Sequence, residues 1–259
     1  MTELFKTYVH KFSAFLQIMA RLLINFFSSL QYILKSKIFF PNLVSYANNL
    51  VSSVTLPTIV IAIAIGVVIG VQLGPQFVSR GVGSKLGILT ILTMSRELVP
   101  ILGGFMIATQ YGTALTAEIA NMKITEQLDA LKIFKVSPVF YIVSPALLAG
   151  VIISPLLFWL AVLFGTLSTY LTVTVNEDLS WNSYLSSIVD YYKLDDFYLC
   201  ISKASVFALI IVVIASTIGL SVGKGGAREV GRATTVTVIS CFIAVIITDL
   251  IMTMFYLDL

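Results

Sequence analysis

Charge is what this chain has least of: 16 Lys and Arg and 13 Asp and Glu make up 11% of its 259 residues. An ordinary soluble domain carries about a quarter of its residues as charges, so that class is excluded. Histidine occurs once, at His10, and cysteine twice, at Cys200 and Cys241. The two cysteines lie inside apolar segments without metal-type spacing, which excludes a zinc site and a disulfide framework and makes both packing residues. No Ser/His/Asp, His-Glu-x-x-His or Cys/His grouping can be assembled around His10, so neither an enzyme nor a bound cofactor is expected. A nucleotide loop is missing too. The nearest approach, GLSVGKGGAREVGRATT at 219–235, lacks the Gly-x4-Gly-Lys-Ser/Thr spacing and follows an apolar helix where a strand is required. The net charge of +3 is scattered among apolar runs and forms no patch for nucleic acid.

What is there is apolar surface: 58% of the residues are hydrophobic and the mean hydropathy is +0.99. Windows 38–79, 98–117, 136–176, 204–223 and 233–248 contain no Asp, Glu, Lys or Arg. Each is close to or longer than the roughly 20 residues that cross a bilayer, and all are too long for barrel strands. Backbone amides in lipid must be satisfied within the segment, so an all-α membrane protein follows, with five transmembrane helices at about 48–74, 87–113, 140–173, 200–220 and 233–256. The third window exceeds one straight span and predicts tilt, a kink or an overhanging end.

The basic residues set the orientation. With the first forty residues in the cytoplasm, Lys6, Lys11, Arg21, Lys35, Lys37, Lys123, Lys132, Lys135, Lys224, Arg228 and Arg232 gather on the inner side. Arg80, Lys85, Lys193 and Lys203 remain outside, with Glu177, Asp178, Asp190, Asp195 and Asp196 in one loop. The N-terminus is therefore inside and the C-terminus outside. An odd number of spans argues against two inverted halves in one chain, so a symmetric pathway requires a second copy.

Residues 1–40 place Leu4, Tyr8, Phe12, Phe15, Met19, Leu22, Phe26 and Leu30 at helical spacing, with Lys6, Lys11 and Arg21 interrupting any spanning run. An amphipathic helix in the inner interface is expected there, rather than a signal peptide or a transit peptide. Residues 41–259 form the transmembrane region, and 1–259 read as a single domain without repeats. Gly66, Gly70 and Gly74 put small residues on one face of span one, for packing within the chain or against a second copy. Pro57, Pro100, Pro145 and Pro155 mark sites of kinking or local unwinding.

Two groups of charges stand out. The first is the stretch from Glu118 and Lys123 through Glu126, Gln127, Asp129, Lys132 and Lys135, between two charge-free windows. From Thr125 it reads as a short amphipathic helix: Ile124, Leu128 and Leu131 on one side, Glu126, Asp129 and Lys132 on the other, Thr125 as N-cap and Ser137–Pro138 as the stop. Such a helix is either a solvated connector on the headgroups or a docking face for a soluble partner. The second group lies inside the spans. Arg96 and Glu97 sit about ten residues into span two, near mid-bilayer at about 1.5 Å per residue, with Asp249 deep in span five and Lys203 at the outer end of span four. Charges there face the protein interior or a wet cavity, and as sequence neighbours Arg96 and Glu97 need different partners. They are either a network that holds the spans together or the polar lining of a substrate cavity.

The stretch EIANMKITEQLDALKIFKVSPVFYIVSPALLAGVIISPLL at 118–157 resembles the signature of the MlaE permease family, membrane subunits of ATP-driven lipid transporters that work with Mce-type lipid-binding proteins. SRELVPILGG at 95–104 and GGAREVGRATT at 225–235 match two further blocks in the same order, so the resemblance covers the chain from about residue 45 onward. Gln110 stands where the family usually has Arg, and Ala120–Asn121 where it has Gly–Thr, so a role for that Arg has no carrier here.

The resemblance implies a homodimeric permease that moves phospholipid or a related lipid between a membrane and an Mce-domain partner, driven by a separate ATP-binding subunit. Glu118, Lys123, Glu126, Gln127, Asp129 and Lys132 would belong to the coupling helix that seats in the ATPase. Lys224, Arg228 and Arg232 would face inner headgroups or the same subunit. Arg96, Glu97, Lys203 and Asp249 would line the lipid cavity, Lys203 and Arg96 offsetting phosphate charge. A bacterial inner membrane or a plastid (chloroplast) inner envelope is the expected location, and the Lys, Ile, Phe, Ser and Asn usage suits an AT-rich genome. The alternatives are an ATP-independent secondary transporter or channel, and a membrane scaffold.

Overall fold

A computed structural model describes residues 39–176, 179–223 and 225–257. The expected interfacial helix at 1–40, with His10, falls almost wholly outside the described residues, as do Lys224, Glu177 and Asp178. Seven helices account for nearly everything described. Five are long and apolar enough to cross a membrane: α1 (Phe39–Ser79), α2 (Gly83–Ile124), α4 (Val139–Val175), α6 (Leu194–Ser221) and α7 (Ala227–Tyr256). Two are short: α3 (Gln127–Ile133) joins α2 to α4, and α5 (Trp181–Tyr191) joins α4 to α6. The long helices run up and down, so the bundle has an α3 end and an α5 end.

The spans are longer than charge-free windows suggest, because hydropathy marks only the stretch that tolerates lipid. Helix α2 continues through Arg96, Glu97, Glu118 and Lys123 since each of these finds a partner inside the bundle. At about 1.5 Å per residue its 42 residues reach about 63 Å, twice the hydrocarbon thickness. Helix α5 lies in what sequence reading treated as loop. Tyr184, Ser187 and Ile188 turn inward, and Tyr184 joins Leu86 and Val173 in a small second core and donates its hydroxyl to the Thr166 carbonyl at 3.0 Å.

The main core joins all five spans. Its tightest seam is α1 on α4, where Gly66, Gly70 and Gly74 pack within the chain. A Cβ at Gly66 would lie 2.1 Å from both the Gly165 carbonyl oxygen and Ser168 Oγ. The Thr169 hydroxyl donates to the Gly66 carbonyl at 2.9 Å, so the close approach lets side-chain hydroxyls bond across helices.

Three prolines shape the rest. A proline at position i leaves the carbonyl at i−4 without its N–H, a debt that lipid cannot settle. The backbone widens into π turns at Met94–Leu98 ahead of Pro100 and at Val139–Val143 ahead of Pro145. A cross-helix donor then reaches each orphaned carbonyl: Lys203 Nζ to Arg96 O at 2.6 Å, Asn42 Nδ2 to Tyr141 O at 3.1 Å, and, for Pro155, Ser205 Oγ to Val151 O at 3.2 Å.

One substitution isolates the seam. Gly66→Leu has nowhere to place a side chain and is expected to lower stability in detergent by about 2 kcal/mol or more. Gly231→Ala, where an added Cβ meets nothing within 4 Å, serves as the control. Thermal unfolding followed by circular dichroism reads both, and equal melting temperatures would contradict the packing described.

Candidate functional site

Toward the α5 end, α2, α6 and α7 bring five charged side chains together. The first pair is Arg96 with Asp196: Arg96 Nε donates to Asp196 Oδ1 at 2.7 Å and Nη2 lies 2.6 Å from the same oxygen. Asp196 is in the first turn of α6, where an acid suits the helix dipole, and its Oδ2 also accepts the Lys193 backbone N–H at 3.3 Å. From the last turn of α7 the Tyr256 hydroxyl donates to Asp196 Oδ1 at 2.8 Å, and its ring lies 5.2 Å beneath the guanidinium.

The second group is built on Lys203, whose side chain is 0% exposed. Its ammonium meets Asp249 Oδ1 at 2.7 Å, Thr253 Oγ1 at 2.8 Å, Glu97 Oε1 at 3.3 Å and the Arg96 carbonyl at 2.6 Å. Thr253 also donates to Glu97 Oε1 at 3.0 Å. An ammonium has three donors, so Lys203 is saturated within the protein. Arg96 and Glu97, adjacent in sequence, thus take different partners on the π turn Met94–Leu98.

Only part of this ensemble reaches open space. A cleft of about 320 Å³ is lined by Leu92, Thr93, Arg96, Glu97, Leu199, Thr253 and Tyr256. Arg96 and Glu97 are partly exposed, with side chains at 33% and 38%. Lys203 and Asp249, expected in the lining, lie behind the cleft wall, and the expectation that Lys203 offsets ligand phosphate is corrected accordingly: burial and four oxygen neighbours leave it no free N–H. The partners of Arg96 and Glu97 stand in the N-terminal part of α6, at Asp196 and Lys203, and in the last turns of α7, so the group lies toward the α5 end of the bundle. Between α5 and α6, burial pushes the Tyr192 phenol up to about 12, which keeps it neutral next to this group.

Sequence reading missed Asp196, Thr253 and Tyr256. Asp196 was assigned to an acidic loop, yet it precedes Lys203 by seven residues, two helical turns on the same face.

At the α3 end the charged stretch divides. Glu126, Gln127, Asp129 and Lys132 are exposed on α3, with Lys132 Nζ 2.7 Å from Asp129 Oδ1. Leu128 is buried in the main core, and Leu131 and Ile124 pack against it. Glu118 and Lys123 face elsewhere: Glu118 Oε1 accepts the Tyr46 hydroxyl at 2.8 Å, and Lys123 Nζ donates to the Leu220 carbonyl at 2.5 Å. Thr125 is not the N-cap. Its hydroxyl donates back to the Asn121 carbonyl of α2 at 2.8 Å, and Glu126, at φ 61°, occupies the cap position in the left-handed region. The turn between two nearly continuous helices needs one residue of reversed φ, and that residue is Glu126. Arg228 and Arg232 are exposed on the first turns of α7 at this same end. Cys200 and Cys241 are buried and unpaired with each other, and among the described residues no cluster of His, Cys, Asp and Glu is suited to a metal ion.

Five spanning helices, an ionised cleft at one end and a surface helix at the other define a multi-pass helical membrane protein. Residues 43–255 match the family Permease MlaE, and the chain belongs to that family. It is 36% identical over 170 residues to a probable ABC transporter permease protein of Rickettsia felis, covering 66% of this chain and 65% of that one. It is 32% identical over 174 residues to the probable ABC transporter permease protein slr1045 of Synechocystis, covering 67% and 66%, and 32% identical over 180 residues to ycf63, a protein of the same description in Pyropia yezoensis, covering 70% and 68%. The matched region thus spans slightly less than two thirds of the Rickettsia and Synechocystis relatives.

Removal of the central cation tests the network. Lys203→Met leaves two carboxylates and one carbonyl without their donor and is expected to cost about 3–5 kcal/mol. Adding Asp249→Asn removes part of that unbalanced charge, so the double variant should be more stable than the two single losses summed. A thermal-unfolding double-mutant cycle in detergent measures the coupling, and strictly additive losses would show that Lys203 and Asp249 do not interact.

Proposed function

We propose that this chain is the membrane subunit of an ABC-type transporter that moves phospholipid or a related lipid between a membrane and an Mce-domain lipid-binding partner, with ATP hydrolysed on a separate subunit. The observation that carries the reading is the placement of α3: its Leu128 is rooted in the bundle core while Glu126, Gln127, Asp129 and Lys132 face outward. A force on that face reaches α2 directly, and through Glu118–Tyr46 and Lys123–Leu220 it reaches α1 and α6. The names of the relatives from Rickettsia, Synechocystis and Pyropia support an ATP-binding partner.

The α3 end is then cytoplasmic, as its Lys123, Lys132, Lys135, Arg228 and Arg232 favour. The cleft faces the outer side, where the Mce-domain protein receives or delivers lipid. A volume of about 320 Å³ is at the low end of ligand sites and accommodates a headgroup but not two acyl chains. The chains require an apolar wall, and the largely unburied face of α7, with Ile239, Ile243, Ile246, Leu250 and Met254 exposed, supports a second copy of this protein across a shared chamber. Exposed Arg228 and Arg232 would meet inner headgroups or the ATPase. The membrane is a bacterial inner membrane or a plastid inner envelope.

Reversing charge on α3 tests the reading. Glu126→Lys with Asp129→Lys should abolish co-purification with the ATP-binding subunit while leaving the melting temperature within a few degrees of the parent, since both side chains are on the surface. Undiminished association would overturn the docking role. Lipid movement in liposomes driven by an ion gradient without ATP would instead favour a secondary transporter.

A further inference from the structure

The charge count around the cleft carries a statement about which lipids enter it, resting on the reading of the cleft as a headgroup site. Two cations, Arg96 and Lys203, stand against three carboxylates, Glu97, Asp196 and Asp249. With all five ionised the group has one negative charge in excess, so positive charge is not in surplus. Lys193 and Asp195, exposed at the start of α6, offset each other.

The exposed atoms sharpen the point. Arg96 commits Nε and Nη2 to Asp196, which leaves Nη1 for a ligand in the cleft. Glu97 commits Oε1 to Lys203 and Thr253, which leaves Oε2. The lining therefore offers one guanidinium edge and one carboxylate oxygen from consecutive residues, a donor for phosphate beside an acceptor for ammonium. We propose that the cleft selects a zwitterionic headgroup, phosphate on Arg96 and ammonium on Glu97, and disfavours headgroups with net negative charge. A phosphate carrying no ammonium gains the Arg96 contact but meets Glu97 Oε2 without a counter-charge.

The experiment uses the full chain purified in mild detergent and equilibrated with mixed micelles holding equal amounts of phosphatidylethanolamine and phosphatidylglycerol, followed by quantification of retained lipid. Thr93→Trp, which fills the cleft from its lining, defines the lipid held elsewhere on the surface. The lipid retained by the parent beyond that of Thr93→Trp should favour phosphatidylethanolamine by about tenfold, the order of discrimination produced by one like-charge contact. Glu97→Gln and Asp196→Asn each remove a negative charge and should move the ratio toward phosphatidylglycerol. Asp196→Asn also releases Arg96, and either variant suffices should the other fail to fold. Cleft lipid in which phosphatidylglycerol equals or exceeds phosphatidylethanolamine in the parent, or a ratio that folded variants leave unchanged, overturns the headgroup inference while the lipid reading stands. Parent protein that retains no more of either lipid than Thr93→Trp overturns both.

Discussion

A backbone carbonyl in lipid has no water to turn to, and much of this structure follows from that constraint. Pro100, Pro145 and Pro155 each delete an N–H from a spanning helix, and the side chains that answer come from other helices: Lys203, Asn42 and Ser205. Each repair is also a tether, joining α6 to α2, α1 to α4 and α6 to α4. Interhelical bonds of this kind contribute roughly 0.6–2 kcal/mol each in membranes, but they fix register in a way that apolar contact does not. The prolines thus specify neighbours through the vacancies they create.

Lys203 shows how such a repair becomes a site. The ammonium that reaches the Arg96 carbonyl is a buried charge, tolerable only with counter-charges and full hydrogen bonding, which Glu97, Asp249 and Thr253 supply. Its presence holds Glu97 by one oxygen and leaves the other available. Arg96, on the same π turn ahead of Pro100, points to Asp196 and Tyr256 instead, because consecutive residues of a helix face different neighbours. Proline, π turn, buried lysine and partly exposed pair form a single construction, and the cleft opens where it meets the surface.

The two ends of the molecule are joined through α2. It carries the Arg96–Glu97 turn at one end and Glu118, Lys123 and the connection to α3 at the other. A second π turn, Ile107–Gly112, lies between them, with the Tyr111 hydroxyl donating to the Ala146 carbonyl of α4 at 3.0 Å. A helix interrupted twice by widened turns can change its winding locally with little loss of hydrogen bonding.

Composition and the charge-free windows were enough to read five spans and an all-α fold, because a bilayer imposes length and apolarity on any helix that crosses it. The amphipathic character of α3 was equally legible, since Leu128 and Leu131 against Glu126 and Asp129 is a local pattern. Intramolecular partners were not. That Glu118 turns to Tyr46 and Lys123 to the end of α6, that Lys203 is spent inside the protein, and that Asp196 belongs with Arg96 are all decided by which helix lies beside which. Partners that lie dozens of residues apart, 72 for Glu118 and Tyr46 and 100 for Arg96 and Asp196, carry no direct sign of such contacts in the sequence. Local chemistry determined what each segment of this chain is; only the packing of the helices decided which charges face a cleft and which are sealed behind it, because burial and pairing are properties of neighbours and not of residues.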